Sequence, residues 1–427
     1  MRTTTVRPGR KVVTEPFDRR REPPRQNFFL MPLIWLICFV VTIPDRLRIK
    51  RIGMKGVKPP FFVLSTHHSF TDFYVTPLAL FPYRANYVSE MEGFELFGEW
   101  IYRQVGCLGT RKYILDVALI RSIKRVIERG DVCVVYPEAR YCNVGTSSRL
   151  DLSVAKMAKL LGVPVVVVRM HGNYLKSPIW NLRYRWGIPL SAEVELAYTP
   201  EGLKAAADEE VREKLERMLS FDEYRWQYEQ GIRIRAPFRA EGLEACLYKC
   251  RRCGAEFRMR SEGARLHCEA CGASWEMTEL GRLEPGDIHI PDWYEWQRAE
   301  TEEEVRAGGY LLDCDVEVEW LPNGKNFVAL GGGHLRHDAE GFRLSFTGYG
   351  GEGARELFFP AVTMPSVHNE YDYRGKGQCI TLATPDDTWY LYPKPGAAWF
   401  NVTKIQFAQE YLAHAPARYA PDAQSSR

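Results

Sequence analysis

The chain has 427 residues, of which 45% are hydrophobic and 26% are charged. That length is enough for two or three domains, each with a core of its own. The net charge of only +3 excludes the strong overall imbalance by which a nucleic-acid-binding or polyacidic chain is recognised.

The first segment, residues 1–60, carries the positive charge that the rest of the chain lacks. Up to Lys58 it contains fourteen Lys and Arg residues against four Asp and Glu residues. Within it, Phe28 to Ile43 is a charge-free apolar run of sixteen residues, shorter than the roughly 20 that a spanning helix needs. Basic side chains flank the run on both sides, as is typical of attachment to anionic lipid. We expect this segment to dip into one leaflet, and the alternative is a buried helix of the core.

Residues 61–235 alternate short apolar runs with amphipathic helices. The predicted strands are Phe61–Ser65, Val132–Tyr136, Val163–Val168 and Val194–Tyr198, and the predicted helices are Ile114–Arg129, Leu150–Leu161 and Glu201–Phe221. Strands and helices in alternation indicate an α/β sheet with helices on its faces.

Four sequence blocks follow one another in this region. They are Ser65 to Asp72 with the pattern H-x4-D, Gly106 to Arg111, Val135 to Arg140, and Gly162 to Val166. In the first block, His67 and Asp72 cannot share one face of a helix, because residues five apart are rotated by roughly 140°. His67 therefore belongs in the turn after the strand. Ser69 is suited to cap the next helix with Asp72 in its first turn.

In this order, the four blocks resemble the glycerolipid acyltransferase family, and the resemblance with its flanks covers about half of the chain. It implies that His67 deprotonates the acceptor hydroxyl, that Asp72 orients His67, and that Arg111 contacts the acceptor phosphate. Gly106, Glu138 and Arg140 are the further candidate substrate-binding residues. A backbone N–H near Gly106 or Gly109 is a candidate oxyanion donor. No catalytic metal is expected.

The third block departs from the family's P-E-G-T-R pattern. Ala139 stands in place of the glycine, and Arg140 arrives one residue early. Glu138 matches the pattern and Arg140 does not, so the acceptor headgroup stays open between 1-acylglycerol 3-phosphate, glycerol 3-phosphate and another lysophospholipid.

Residues 240–282 contain two C-x2-C-G pairs separated by fourteen residues, namely Cys250 with Cys253 and Cys268 with Cys271. Four thiolates at this spacing predict a structural zinc ribbon, and the glycine after each pair permits a tight turn. Metal spacing rather than a disulfide framework also indicates a reducing compartment, the cytoplasm. The ribbon lacks a basic and aromatic surface, so no nucleic-acid partner is expected.

Residues 290–427 change character and are rich in β-strand patterns. A helix is predicted from Ile290 toward Arg306, and Leu312 to Trp320 alternates apolar with acidic residues. Further strands are predicted at Phe342–Phe346, Leu357–Val362, Cys379–Leu382 and Trp389–Tyr392, with a final helix from Asn401 through Leu412. Strands followed by one helix are similar to a pleckstrin-homology or GRAM-type module.

The resemblance therefore implies an O-acyltransferase whose first expected acceptor is 1-acylglycerol 3-phosphate, and we expect it on the cytoplasmic face of the membrane, peripheral or monotopic. The expected partners are acyl-CoA or acyl carrier protein as donor, a lysophospholipid as acceptor, and the membrane surface. The alternative is a non-enzymatic adaptor in which the zinc ribbon and the β module carry the function.

Overall fold

The computed structural model describes residues 14–397 and 399–414. Its first sheet is built from seven strands in the order β1-β7-β6-β2-β5-β3-β4, and only the β6–β7 pair is antiparallel. The strands are β1 Arg48–Ile52, β2 Phe62–Ser65, β3 Ala85–Glu90, β4 Cys107–Thr110, β5 Val132–Val135, β6 Val165–His171 and β7 Ser191–Tyr198. This is the α/β arrangement that the alternation of apolar runs predicted.

Ten helices accompany this sheet in the described part of the chain. They are α1 Met31–Thr42, α2 Asp72–Ala79, α3 Met91–Phe97, α4 Glu99–Gln104, α5 Val117–Glu128, α6 Leu152–Leu161, α7 Asn173–Lys176, α8 Pro200–Ala205, α9 Asp208–Leu219 and α10 Glu223–Glu229. Asp116 caps α5 by accepting the N–H of Leu119, and Asp151 caps α6 through the N–H of Ser153. Both caps satisfy backbone donors that a helix start leaves unpaired.

The single helix predicted over Glu201–Phe221 is wrong, because the chain forms α8 and α9 with a break between them. Ala206 and Ala207 adopt extended backbone angles there. Three acidic residues then begin α9, where the N-terminal end of the helix dipole favours negative charge.

The central strands of this sheet are buried on both faces, which explains why they are continuous apolar runs rather than alternating ones. Val63 and Val134 pack into one cluster with α2, whereas Leu64 and Cys133 pack into another with α5 and α6. Side chains that follow the parallel strands meet at the carboxyl edge of the sheet, where α/β proteins place their ligand groups.

The cysteine segment forms a five-stranded antiparallel sheet in the order β12-β11-β10-β9-β8. A short helix, α11 Leu243–Cys246, precedes the strands β8 Met259–Glu262, β9 Arg265–Cys268, β10 Ser274–Met277, β11 Arg282–Glu284 and β12 Ile288–His289.

The C-terminal region forms a seven-stranded antiparallel sheet in the order β16-β15-β14-β13-β19-β18-β17. Its elements are α12 Ile290–Arg306, β13 Leu312–Leu321, β14 Val328–Asp338, β15 Gly341–Thr347, β16 Ala354–Pro360, β17 His368–Glu370, β18 Cys379–Ala383, β19 Thr388–Pro393 and α13 Val402–His414. The strand predicted at Leu357–Val362 lies three residues earlier at its start and ends at Pro360, after which Ala361–Thr363 forms a 3-10 turn.

The three sheets are joined by one hydrophobic cluster. Trp180 of the α/β region, Trp275 of the cysteine ribbon, Trp293 of α12 and Phe407 of α13 all belong to it. Trp275 and Trp293 pack edge to face, with ring centroids 4.8 Å apart. The ribbon therefore shares its core with the other two regions.

Candidate active site

His67 and Asp72 come together at the carboxyl edge of the first sheet. His67 lies in the turn after β2, and Asp72 is the first residue of α2. The Nδ1–H of His67 donates to Oδ2 of Asp72 over 2.9 Å, and the carboxylate is fully buried whereas the imidazole is 13% exposed. The arrangement is that of a base and its orienting carboxylate.

The carboxylate of Asp72 is fixed by further donors. Oδ2 also accepts the backbone N–H groups of His68 at 2.7 Å and Ser69 at 3.3 Å. Oδ1 accepts Nδ2 of Asn173, the residue that begins α7 after β6, at 2.7 Å. Ser69 binds the same segment, because its hydroxyl donates to the carbonyl of Asn173 at 2.9 Å. Asp72 is thus held in one orientation from both sides.

Two tyrosines form the walls around the imidazole of His67. The Tyr136 ring stacks on it at 4.1 Å and the Tyr141 ring tilts against it at 4.4 Å between centroids. Nε2 of His67 has no hydrogen-bond partner among the described residues and is not enclosed. That nitrogen is free to take a proton from a bound hydroxyl.

His68 lies beside the pair and is excluded from this role. It is completely buried against the Phe221 ring, and both of its ring nitrogens lack a hydrogen-bond partner in the described chain. Burial lowers the pKa of His68 and keeps the ring neutral.

The side chain of Arg111 contacts the C-terminal sheet and the loops beside it. Nη1 donates to the carbonyl of Leu321 at 3.0 Å and to Oγ1 of Thr388 at 2.5 Å. Nη2 donates to the carbonyls of Pro322 at 3.0 Å and Asp386 at 2.5 Å. The guanidinium that the resemblance assigns to an acceptor phosphate is occupied by a contact between two regions of the chain.

Glu138 and Arg140 follow β5 at the same edge but do not pair with each other. Glu138 accepts the N–H of Ser148 at 3.2 Å, and burial raises the pKa of Glu138 to about 7. Arg140 binds Oε1 of Glu410 in α13 at 2.9 Å. Between them Ala139 adopts a left-handed φ of 56°, the conformation for which the family pattern has glycine.

Gly106 does not lie with the other candidate site residues at the carboxyl edge of the sheet. It precedes β4 at the amino edge of the sheet, and its N–H donates to the carbonyl of Arg103 at 3.1 Å. Its φ is +83°, and a Cβ there would lie 2.7 Å from Cγ of Gln26. These contacts explain the glycine by packing, and they place its N–H away from His67.

A charged cluster that sequence reasoning missed lies where the C-terminal sheet meets this edge. Lys112 forms an ion pair with Glu90, its ammonium lies 3.0 Å from Nε2 of His368, and His368 Nε2 lies 3.2 Å from Glu370. The side chain of Glu90 is 33% exposed to solvent. Burial raises the pKa of Tyr141, a wall of the His67 pocket, and the charges of Glu90 and Glu370 add to that rise. Its members are up to about 280 residues apart in sequence, and no local pattern links them.

The four ribbon cysteines are brought together as predicted. Their sulfur atoms all lie within 4.8 Å of one another, and the Cys250–Cys271 and Cys253–Cys268 distances are both 3.8 Å. Zinc–sulfur bonds of about 2.3 Å in a tetrahedron give sulfur–sulfur edges of about 3.8 Å. The cluster fits a zinc ion with no open coordination position.

Helix α1 exposes an apolar surface. Leu36, Phe39 and Val40 are each more than half exposed, and Phe29 just before the helix is 87% exposed. Within residues 14–397 and 399–414, no helix combines the length and the apolar character that crossing a bilayer requires.

The sequence matches no family model, and no curated protein matches it. Among solved structures, one similar chain is the 1-acyl-sn-glycerophosphate (LPA) acyltransferase PlsC from Thermotoga maritima. It is 19% identical, and the match covers 45% of this chain and 77% of that one with a TM-score of 0.38. A likeness at that level assigns neither a family nor a reaction to this chain.

Proposed function

We propose that this protein is an acyltransferase that moves a fatty acyl group from a thioester to the hydroxyl of a lysophospholipid. The observation that carries the proposal is the bond from Nδ1 of His67 to the buried carboxylate of Asp72, with Nε2 left free. Acyl-CoA or acyl carrier protein is the proposed donor.

In the proposed reaction, Nε2 of His67 takes the proton of the acceptor hydroxyl while the oxygen attacks the thioester carbonyl. The carbon–sulfur bond then breaks, and the thiolate leaves charged or takes the proton back from the imidazolium. Asp72 keeps Nδ1 protonated and stabilises the positive charge that His67 acquires.

The acceptor suggested by the resemblance is 1-acylglycerol 3-phosphate. Arg111 cannot hold a phosphate while both of its terminal nitrogens donate to the C-terminal sheet. Glycerol 3-phosphate and every other lysophospholipid also carry a phosphate, so the contacts of Arg111 do not select among the acceptors. We propose a lysophospholipid acceptor, and 1-acylglycerol 3-phosphate is the first to be tested.

We also propose that the enzyme works at the cytoplasmic face of a membrane, held there by the exposed apolar surface of α1. The basic side chains around this helix support contact with anionic headgroups. The likeness of the C-terminal sheet to a pleckstrin-homology or GRAM-type module stays a prediction from its strands and final helix.

The decisive experiment is an assay in detergent micelles with labelled acyl-CoA or acyl carrier protein and a panel of lysophospholipids that includes 1-acylglycerol 3-phosphate. We expect transfer by the wild type and a loss of about 10²–10⁴-fold in His67→Ala and in Asp72→Asn. The double variant should be little worse than either single one, because the two residues act as a unit. His334→Ala, which alters a half-exposed histidine of β14, is the control and should keep the wild-type rate.

A non-enzymatic adaptor is the second candidate. It is favoured by Arg111 and Arg140, which both serve to dock the C-terminal region rather than a ligand. Folded wild-type protein that transfers no acyl group to any acceptor, or a His67→Ala variant as active as the wild type, would move this candidate to the front.

A further inference from the structure

The proposed transfer puts negative charge on the carbonyl oxygen of the thioester, and a hydrogen-bond donor held at that oxygen accelerates such a reaction. The N–H of Gly106, which the sequence offered for this task, lies at the amino edge of the sheet. The N–H groups of His68 and Ser69 lie next to His67, but both donate to Asp72. We therefore expect the donor to be a side chain beside His67.

Three aromatic side chains of the described chain contact the imidazole of His67, and they differ in what they offer a ligand. Phe73 packs edge to face at 6.4 Å and has no polar atom. The hydroxyl of Tyr136 shares a hydrogen bond with Oγ1 of Thr76 at 3.1 Å. The hydroxyl of Tyr141 has no hydrogen-bond partner among the described residues and is not enclosed. Of the three side chains, Tyr141 is the one with a donor to spare.

Tyr141 is fixed against His67 by its ring and by the main chain that follows it. The two ring centroids are 4.4 Å apart. The N–H of Cys142, the next residue, donates to the carbonyl of His67 at 3.0 Å. A donor that is already in place needs little reorganisation when charge develops on a substrate.

The hydroxyl of Tyr141 is also held in the protonated form that can donate. Burial raises the pKa of Tyr141, and the charges of Glu90, Asp72 and Glu370 raise it further. Two of these carboxylates are compensated, Asp72 by the donors that surround it and Glu90 by Lys112. Tyr141 is therefore a neutral phenol at neutral pH.

We propose that the hydroxyl of Tyr141 donates a hydrogen bond to the carbonyl oxygen of the thioester while negative charge develops there. The assignment rests on the proposed function and adds a second group that touches substrate. The acceptor oxygen bonds to the carbonyl carbon as Nε2 of His67 takes its proton, and the π electron pair of the carbonyl moves to the oxygen held by Tyr141. That pair returns when the carbon–sulfur bond breaks and the thiolate leaves. Tyr141 keeps its proton throughout.

The test is the acyl transfer assay with Tyr141→Phe, which keeps the ring and removes the donor. We expect kcat to fall by about 10²–10³-fold, the usual loss when one oxyanion donor is removed. The KM values of donor and acceptor should stay within about twofold, because the bond strengthens only in the transition state. The loss should be the same for every acceptor in the panel, since the carbonyl belongs to the donor.

Folding of the variant is checked by its thermal midpoint, which should match that of the wild type because the hydroxyl has no partner to lose. Tyr228→Phe, at a half-exposed tyrosine of α10, is the control and should keep the wild-type rate. Tyr136→Phe removes the hydroxyl that is committed to Thr76 and should lose less activity than Tyr141→Phe.

Tyr141→Phe protein with the wild-type rate, beside an inactive His67→Ala variant, would overturn the role of Tyr141 and leave the proposed function standing. A higher KM for one acceptor with unchanged kcat would also overturn it, because Tyr141 would then contact the acceptor. So would a loss in Tyr136→Phe as large as that in Tyr141→Phe. Folded wild-type protein that transfers no acyl group to any acceptor would overturn the proposed function and this role together.

Discussion

Asp72 has more hydrogen-bond donors than the orientation of an imidazole alone requires. Besides His67, it accepts two backbone N–H groups and the amide of Asn173. A buried carboxylate is costly unless such donors compensate for lost water. The set compensates the buried carboxylate for the water it has lost and fixes it where it can stabilise a positive charge on His67.

Asn173→Ala tests this set at a residue that touches neither the proposed substrate nor His67. We expect kcat to fall by about ten- to a hundredfold, because Asp72 loses its fixed orientation and small misplacements carry penalties of that size. KM should stay within about twofold. Steady-state kinetics over a range of pH would measure both.

Asn181→Ala is the matched control, since Asn181 is another buried asparagine that donates to a backbone carbonyl, that of Phe238 at 2.9 Å. A rise in KM with unchanged kcat in Asn173→Ala would instead mean that Asn173 contacts substrate.

The cysteine ribbon is expected to hold a zinc ion, which metal analysis can measure. We expect one zinc per chain held by Cys250, Cys253, Cys268 and Cys271, with the ion lost in the double variant Cys250→Ser and Cys268→Ser. Small metal domains take much of their folding free energy from the ion. Metal analysis of the purified protein would check both, and zinc retained by the double variant would contradict the ligand set.

Removal of the zinc should also loosen the C-terminal region, because Trp275 of the ribbon packs on Trp293 of α12. Hydrogen exchange after chelation should accelerate in β9, β10 and α12, while β2, β5 and β6 stay protected.

The exposed apolar surface of helix α1 is expected to bind the membrane. The double variant Leu36→Glu and Phe39→Glu should bind vesicles of anionic phospholipid at least tenfold more weakly, since both side chains are more than half exposed and would enter the lipid. Co-sedimentation measures it. Val362→Glu, at a 77% exposed apolar residue of the C-terminal region, is the control. Binding that is unchanged in the α1 variant would exclude this helix as the membrane contact.

The sequence predicted the elements that neighbouring residues mark by a continuous apolar run or an alternating pattern. Val132–Val135 and Val165–Val168 are apolar on both faces and were predicted as buried strands. Strand β14 was missed because Gly331, Gly332 and Gly333 interrupt its alternation, and β17 because it is three polar residues long. In the site, H-x4-D led to His67 and Asp72. Asn173 was missed because its contact with Asp72 spans 101 residues and depends on the sheet order.

For the whole molecule, the contact between the first sheet and the C-terminal sheet buries ionisable groups. Burial raises the pKa of Glu370 in β17 to about 7, against the opposing charge of Lys112, and His368 is its neighbour at 3.2 Å. Burial also raises the pKa of Glu92 to about 7. Between about pH 4.5 and 7 the folded protein keeps protons that the unfolded chain has released, so these groups make stability fall as the pH rises.

Glu370→Gln should therefore raise the thermal midpoint at pH 8 by several degrees, corresponding to about 1–3 kcal/mol. Little change is expected at pH 4, where the carboxyl is protonated in both states. Thermal melts at the two pH values measure it. Glu356→Gln, in the exposed edge strand β16, is the control. A variant less stable than the wild type at pH 8 would mean that the ionised carboxylate is favourable at this interface.

Arg111 joins the two sheets mainly by donating to main-chain oxygens, those of Leu321, Pro322 and Asp386. Carbonyl groups are the same in every amino acid, so this junction constrains the path of the two loops and not the side chains they carry. The side chain of Leu321 is buried in a hydrophobic cluster, but the hydrogen bonds of Arg111 do not depend on it. A one-residue insertion or deletion in either loop would withdraw the acceptors and leave a buried guanidinium unpaired. Loop length is therefore the property that natural variation or protein engineering must keep if these hydrogen bonds are to persist.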